Sequence, residues 1–306
     1  MAPDESIVQI EGPWTHRSVH AGGTRFHVVE AGQGPLVMLL HGFPQFWWTW
    51  RNQLEALPAD GYRAVAVDLR GYGGSDKPPR GYDLPTLAAD ATGLIRALGE
   101  TGAIVVGHDW GGLLAWTMAV LEPKCVRRLV TVSAPHPLRL RSALVTDPFG
   151  QLKASIQALG FQLPLLPEHL LTRRDGRRVG RFLDLWSRPG WPEKDTARTY
   201  REAFRIPTVA HCALEYHRWF GRSQLRPDGR RYARVMRTEI EAPTLQVHGA
   251  LDPRVLPRTA QGSSRHVAAP YRWRLLEGAG HFPHEEIPDV FNQELLGWLA
   301  DPEPDR

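Results

Sequence analysis

The stretch Val105-Val106-Gly107-His108-Asp109-Trp110-Gly111-Gly112 decides the fold of this chain. Residues 102–106 form a short, apolar, β-branched run typical of a strand, and residues 113–121 have the composition of a helix. Asp109 therefore lies on a sharp turn from strand to helix, where the flanking glycines permit a tight backbone. A loop aspartate that caps a helix gives the same pattern, so the surrounding sequence has to decide its role.

Segments of strand and helix type alternate on both sides of this turn. Residues 14–20 and 25–30 indicate a hairpin, and the apolar run 35–40 is typical of a strand buried on both faces. The other segments are helix 47–57, strand 64–69, helix 84–98, strands 129–133, 243–248 and 271–276, and helix 288–300. This alternation predicts an α/β fold with a mostly parallel eight-stranded sheet flanked by helices.

Residues 137–238 interrupt the alternation with helices and proline-rich turns. We expect them to form a helical cap (lid) domain, inserted after the sixth strand of a core domain made of residues 1–136 and 239–306. Residues 137–240 contain 18 Arg, 2 Lys and 10 acidic residues, a net charge of +10 in a chain of net +4. An anionic substrate, a membrane surface or nucleic acid would suit this charge, but a solvated arginine-rich face explains it without a partner.

Composition excludes several classes of protein. The 42% hydrophobic and 23% charged residues are ordinary for a soluble enzyme, and Cys125 and Cys212 alone support neither a disulfide framework nor a cysteine-based zinc site. No signal peptide, membrane span or basic-aromatic nucleic-acid motif is recognisable, so we expect a cytoplasmic protein without cofactor, metal or nucleic-acid partner. The sequence leaves a homodimer open.

Two further polar residues follow predicted strands. Asp252 comes after strand 243–248 and His281 after strand 271–276. Since ligands on parallel sheets bind at the carboxyl ends of the strands, Asp109, Asp252 and His281 are expected to meet, in the chain order nucleophile, acid, base. Singly, Asp252 before a proline would also fit a turn, and His281 a surface position with His284 as a rival.

Five motifs together resemble the α/β-hydrolase-fold epoxide hydrolases over about residues 14–300. They are His41-Gly42-Phe43-Pro44-Gln45-Phe46-Trp47, Asp68-x-Arg70-Gly71-x-Gly73-x-Ser75-Asp76, Gly107-His108-Asp109-Trp110-Gly111-Gly112, Ala134-Pro135-His136-Pro137 and Gly280-His281-Phe282. The resemblance is strong over the sheet segments and weaker in the lid. It implies the α/β-hydrolase fold and hydrolysis of a small apolar epoxide to a vicinal diol.

The resemblance also implies roles for individual residues. The Asp109 carboxylate would attack an epoxide carbon and form an ester, which water activated by His281 and Asp252 would then hydrolyse. The backbone N–H groups of Phe43 and Trp110 would hold the oxyanion. A cis bond to Pro44 would turn the Phe43 amide toward the site, and His41 opens the same supporting motif.

The group that protonates the leaving ring oxygen is harder to assign. Similar enzymes usually place two lid tyrosines there, and Tyr216, on an apolar helix face, resembles one of them; a buried tyrosine bonded to the backbone is the alternative. The position of the other tyrosine is Gln157, which donates a hydrogen bond but cannot give up a proton. Either Tyr216 acts alone, or Tyr200 or His169 takes the second place.

Two other functions compete with epoxide hydrolysis. Haloalkane dehalogenases share the fold and the aspartate nucleophile, and Trp110 would then bind halide. They commonly need a second N–H side chain after His-Gly, which Phe43 lacks, and fluoroacetate dehalogenases use an arginine beside the nucleophile. A non-catalytic binding protein of the same fold would explain Gln157, but it has no need for Asp109, Asp252 and His281 together.

Overall fold

The computed structural model describes residues 3–301, which contain one sheet of eight strands in the order β1-β2-β4-β3-β5-β6-β7-β8. The first hairpin pairs antiparallel with itself and with β4, and all other neighbours are parallel. The predicted mostly parallel eight-stranded sheet is confirmed. The strands are β1 Thr15–Ala21, β2 Thr24–Ala31, β3 Leu36–Leu40, β4 Arg63–Val67, β5 Ala103–His108, β6 Val126–Val132, β7 Thr244–Gly249 and β8 Tyr271–Leu276.

Helices follow the strands as the alternation predicts. The central strands β3, β5 and β7 are buried along their whole length, which requires cover on both faces of the sheet. Helix α1 packs against α12, and α2 packs against α3. These four are α1 Arg51–Ala59, α2 Leu84–Ala97, α3 Trp110–Leu121 and α12 Pro288–Ala300, with the short α10 Pro257–Gln261 and α11 Pro283–Glu286 late in the chain.

The segment between β6 and β7 contains six α-helices, a π-helix at Pro148–Leu152 and no strand in the part of the chain that the structure describes. The α-helices are α4 Pro137–Thr146, α5 Gln157–Gly160, α6 Leu166–Trp186, α7 Lys194–Phe204, α8 Val209–Ser223 and α9 Pro227–Val235. Non-helical dihedral angles at 173–176 divide α6 into two pieces. The division into a core and a lid domain stays a prediction, and residues 1–2 and 302–306 of the predicted core lie outside the described residues.

Helix α3 starts earlier than its predicted first residue, 113. It begins at Trp110, directly after Asp109, and is buried from Trp110 to Val120. The two turn glycines allow this, because a Cβ on Gly107 would overlap the carbonyl of Gly111, and a Cβ on Gly111 would overlap the carbonyl of Leu40. Close backbone packing therefore brings the start of α3 against the end of β3. No helix within residues 3–301 is both long and apolar enough to cross a membrane.

Candidate active site

Asp109 lies on the turn between β5 and α3 in a strained conformation. Its φ of 48° and ψ of −111° are rare for a residue with a side chain, and such outliers persist where the surrounding structure holds them. The turn is held by the Asp109 carbonyl, which accepts from the amide of Leu113 at 2.9 Å. The two carboxylate oxygens have different surroundings: Oδ2 accepts from the amide of Phe43 at 3.0 Å, and Oδ1 lies 3.7 Å from His281 Nε2.

The structure brings Asp252 and His281 together with Asp109. His281 Nδ1 donates to Asp252 Oδ2 at 2.8 Å, which leaves Nε2 directed at Asp109. Asp252 Oδ1 is fixed in turn by the amides of Arg254 and Val255, at 2.8 and 3.0 Å. These contacts orient a carboxylate, an imidazole and a second carboxylate in one line, as a nucleophile, base and acid require.

The charges of these three groups depend on one another. Burial disfavours ionisation of Asp109, but the imidazole of His281 outweighs it and holds the pKa of Asp109 well below its usual range. Burial likewise favours neutral His281, yet the carboxylates of Asp252 and Asp109 raise the pKa of His281 to about 9. At neutral pH the resting site therefore holds ionised Asp109 beside a protonated His281.

The predicted oxyanion residues lie beside Asp109. The Phe43–Pro44 peptide is cis, and the Phe43 amide already donates to the Asp109 carboxylate. Trp110 is the first residue of α3, and its amide has no acceptor within the helix. The buried His41 accepts from the amide of Leu69 at 3.1 Å, which holds the loop in place. The Phe43 amide thus contacts the Asp109 carboxylate, and the amide of the next residue, Trp110, is free of helical hydrogen bonds.

A cavity of about 360 Å³ leads to Asp109 between the sheet edge and the helices above it. Most of its wall is apolar, including Trp110, Leu113, Leu140, Leu144, Leu159 and Phe220. The polar side chains in the wall include Ser155, Gln162, His217 and Arg254. A larger, open cleft of about 1040 Å³ beside α6 and α7 is lined mainly by arginines and contains none of the three residues Asp109, Asp252 and His281. The smaller cavity is therefore the one that gives access to Asp109.

Neither Tyr216 nor Gln157 reaches this cavity, contrary to expectation. The Tyr216 hydroxyl donates to the carbonyl of Arg70 at 2.7 Å, so it is the buried, backbone-bonded tyrosine of the alternative interpretation. Gln157 opens α5 half-buried and outside the cavity wall. Tyr200 donates to Glu285 at 2.6 Å, and His169 is exposed. All seven tyrosines of the chain lie within residues 3–301, and none lines the cavity.

His217, which the sequence interpretation missed, lines the cavity together with Asp109. Its ring lies 4.8 Å from that of Trp110 and 5.0 Å from that of Phe43, the two predicted oxyanion residues. Burial, aided by the charge of Arg254, lowers the pKa of His217 to about 4. Ala213, His217 and Gly221 lie at helical spacing on one face of α8. A polar side chain between two small residues on this face was the sequence signal that could have identified His217.

Comparison with known proteins gives the class of this chain. The family model described as alpha/beta hydrolase fold matches residues 35–288. Epoxide hydrolase 3 of Xenopus tropicalis is 35% identical over 91% of this chain and 76% of that protein, and the AB hydrolase superfamily protein YfhM of Bacillus subtilis is 34% identical over 92% and 96%. The crystal structure of epoxide hydrolase A from Mycobacterium thermoresistibile matches with a TM-score of 0.81 and 30% identity, covering 94% of this chain and 98% of that one.

The chain has the α/β-hydrolase fold and belongs to the α/β-hydrolase-fold epoxide hydrolase family. The resemblance drawn from its motifs is confirmed. One contact bears on the competing dehalogenase interpretation. The indole Nε1 of Trp110, which would bind a halide, donates to His217 Nε2 at 3.1 Å and is already engaged.

Proposed function

We propose that this protein hydrolyses epoxides to vicinal diols through a covalent ester on Asp109. The observation that carries the proposal is that the two oxygens of this carboxylate have different neighbours. Oδ2 is held by the amide of Phe43, Oδ1 lies 3.7 Å from His281 Nε2, and Asp109 lines the cavity. A carboxylate held in this way can attack carbon through one oxygen, while its other oxygen already accepts a hydrogen bond from a backbone amide.

The first step is attack of Asp109 Oδ1 on an epoxide carbon. The bond between that carbon and the ring oxygen breaks, and the oxygen leaves with the electron pair as an alkoxide that takes up a proton. Because the pKa of Asp109 is held low by His281, the nucleophile is ionised throughout the physiological range. The product of this step is an alkyl ester with a hydroxyl on the neighbouring carbon.

The second step is hydrolysis of that ester. Ester formation removes the charge of Asp109, which is one of the two carboxylates that raise the pKa of His281. The pKa of His281 therefore falls when the ester forms, and the imidazolium loses its second proton to solvent. The neutral imidazole then accepts a proton from the water that attacks the Asp109 carboxyl carbon. The negative charge then develops on Oδ2, against the amides of Phe43 and Trp110; loss of one such donor typically costs about 3 to 4 kcal/mol.

We assign the protonation of the epoxide ring oxygen to His217. It lines the same cavity as Asp109, whereas no tyrosine does, and its ring contacts those of Phe43 and Trp110. An imidazole delivers a proton only when it carries the second one, and the pKa of His217 of about 4 keeps most of it neutral at pH 7. Ring opening should therefore become faster as the pH falls, because the protonated fraction of His217 grows. A phenol with a pKa near 10 is already fully protonated at neutral pH, so it would not give this dependence.

The test is to trap the ester. In the variant His281→Gln, incubation with an epoxide should raise the intact mass of the protein by the mass of that epoxide, because the ester forms but is not hydrolysed. The double variant Asp109→Ala/His281→Gln is the matched control and should gain no mass. Diol formation by Asp109→Ala at the wild-type rate, or an equal adduct on the double variant, would refute the proposal.

The relatives that carry the name epoxide hydrolase support an epoxide and water as the reactants. The apolar wall of the cavity favours an apolar epoxide of small size. A cytoplasmic location and a homodimer stay predictions from the sequence.

A further inference from the structure

We infer that Arg254 binds a carboxylate carried by the substrate, so that the substrate is an epoxide joined through an apolar chain to an acid group. The inference rests on the proposed function, because it concerns the same cavity. It starts from a cation in the wall of the mostly apolar cavity that Asp109 also lines.

The backbone of Arg254 is fixed from two sides. Its amide donates to Asp252 at 2.8 Å, and its carbonyl accepts from Gln151 at 3.1 Å. The side chain reaches away from these anchors toward the lid helices. One guanidinium nitrogen donates to Ser155 Oγ at 3.3 Å, and the guanidinium carbon lies 5.6 Å from the ring of Trp186. Arg254 is therefore aimed into the cavity by the same loop that presents the catalytic acid.

The guanidinium of Arg254 has no carboxylate partner within 4.0 Å among residues 3–301. Arg254 is half-buried, and the two arginines that are more deeply buried both have a carboxylate partner: Arg70 lies 2.6 Å from Asp90, and Arg218 lies 2.8 Å from Glu168. Moving a cation out of water without an ion pair is costly, and burial lowers the pKa of Arg254 while the more distant Asp109 and Asp252 oppose that shift. An anionic group on a bound molecule would supply the missing contact.

A carboxylate fits this position better than a phosphate. One guanidinium offers two parallel N–H groups, which match the two oxygens of a carboxylate, whereas a doubly charged phosphate calls for further cations. The other cation in the wall is Arg222, which is exposed to solvent. The mostly apolar wall of the cavity, which both Asp109 and Arg254 line, suits a hydrocarbon chain between the epoxide and the acid group, and the cavity of about 360 Å³ limits its length.

The experiment compares terminal epoxyalkanoic acids with their methyl esters over a series of chain lengths. For the wild type, kcat/KM should favour the acid over its ester by about 10-fold to 100-fold, the effect of one charge-assisted hydrogen bond, mainly through KM. The variant Arg254→Gln should bring the ratio close to one, and Arg254→Lys should retain part of the preference. Arg222→Gln is the matched control and should change the ratio by less than about 3-fold, because an exposed charge is screened.

A second measurement needs no variant. Saturated alkanoates should inhibit the wild type at concentrations about 10-fold lower than alkanols of the same length. An equal effect of acids and alcohols, or equal turnover of acid and ester by the wild type, would overturn the inference while leaving epoxide hydrolysis intact. An equal loss of turnover of acid and ester in Arg254→Gln would also overturn it, because Arg254 would then act as a counter-charge to Asp109. A preference for an epoxyalkyl phosphate over the acid would overturn it as well. Failure to turn over acid, ester and neutral epoxide alike would refute the proposed function itself.

Discussion

The indole Nε1 of Trp110 donates a hydrogen bond to His217 Nε2 at 3.1 Å, so the residue after Asp109 is tied to helix α8. An indole nitrogen only donates, so Nε2 must be the acceptor and carries no proton in this state. The other ring nitrogen, Nδ1, lies 3.2 Å from the carbonyl of Ala213 and donates to it. His217 is therefore neutral at rest, in agreement with its lowered pKa of about 4.

The first prediction separates His217 from its neighbour Tyr216. His217→Gln should slow ester formation by about 100-fold or more, because glutamine keeps a hydrogen-bond donor but cannot transfer a proton. Tyr216→Phe should leave ester formation close to wild type and lower the free energy of unfolding by about 1 kcal/mol, since it removes a buried hydrogen bond to the backbone of Arg70. Single-turnover kinetics and thermal unfolding measure the two effects. A slower burst in Tyr216→Phe with normal stability would return the acid role to the tyrosine.

The second prediction concerns pH. His217 has a folded-state pKa of about 4, so above that value its protonated fraction grows about tenfold for each unit by which the pH falls. Ester formation should accelerate as the pH falls from 8 toward 5, while ester hydrolysis slows because it needs neutral His281. Rapid-quench measurement of the ester gives both rates. His217→Gln serves as control and should make ester formation independent of pH over this range; a flat profile in the wild type would exclude His217 as the acid.

Much of the active site follows from the sequence because strand ends are geometrically constrained. Asp109 follows β5 directly, and Asp252 and His281 lie in the loops after β7 and β8. Parallel strands bring their carboxyl ends to one edge, so the sequence places these three positions close together.

The lid offers no such constraint. Tyr216 and His217 are adjacent on one helix, and successive side chains on a helix differ in direction by about 100°. Which of the two faces the cavity therefore depends on how α8 packs. Helix packing is a tertiary property that the pattern Val209, Cys212, Tyr216 did not determine. The same holds for Arg254, whose direction depends on the anchoring of its backbone.

The third prediction tests the coupling between Asp109 and His281. Asp109→Ala should lower the pKa of His281 from about 9 toward its ordinary 6.5, because one of the two carboxylates that raise it is removed. A raised pKa in the folded state stabilises the protein fully below the unfolded value of 6.5, and this contribution is lost as the pH rises through about 9. The free energy of unfolding should therefore depend less on pH between 6.5 and 9 in Asp109→Ala than in the wild type. Histidine NMR titration measures the pKa directly, and an unchanged value would show that Asp109 does not reach the imidazole.

The last prediction concerns the tight turn that presents the nucleophile. Gly111 and Gly297 are both helical glycines, so replacing either by alanine brings a similar gain in helix propensity, up to about 1 kcal/mol. Their surroundings differ: a Cβ on Gly111 would overlap the carbonyl of Leu40, whereas a Cβ on Gly297 meets nothing within 4 Å. Gly297→Ala should stabilise the protein slightly and leave activity unchanged.

Gly111→Ala should destabilise the protein by about 1 to 3 kcal/mol despite its better propensity, since neither backbone can move aside within the buried contact of α3 and β3. It should also reduce ester formation in the protein that remains folded, because α3 can make room only by moving Trp110 and the Asp109 turn away from Phe43. Chemical denaturation and burst kinetics on both variants provide the comparison. Equal stability of the two variants would mean that the close approach of α3 to β3 is not what holds Asp109 in its strained conformation.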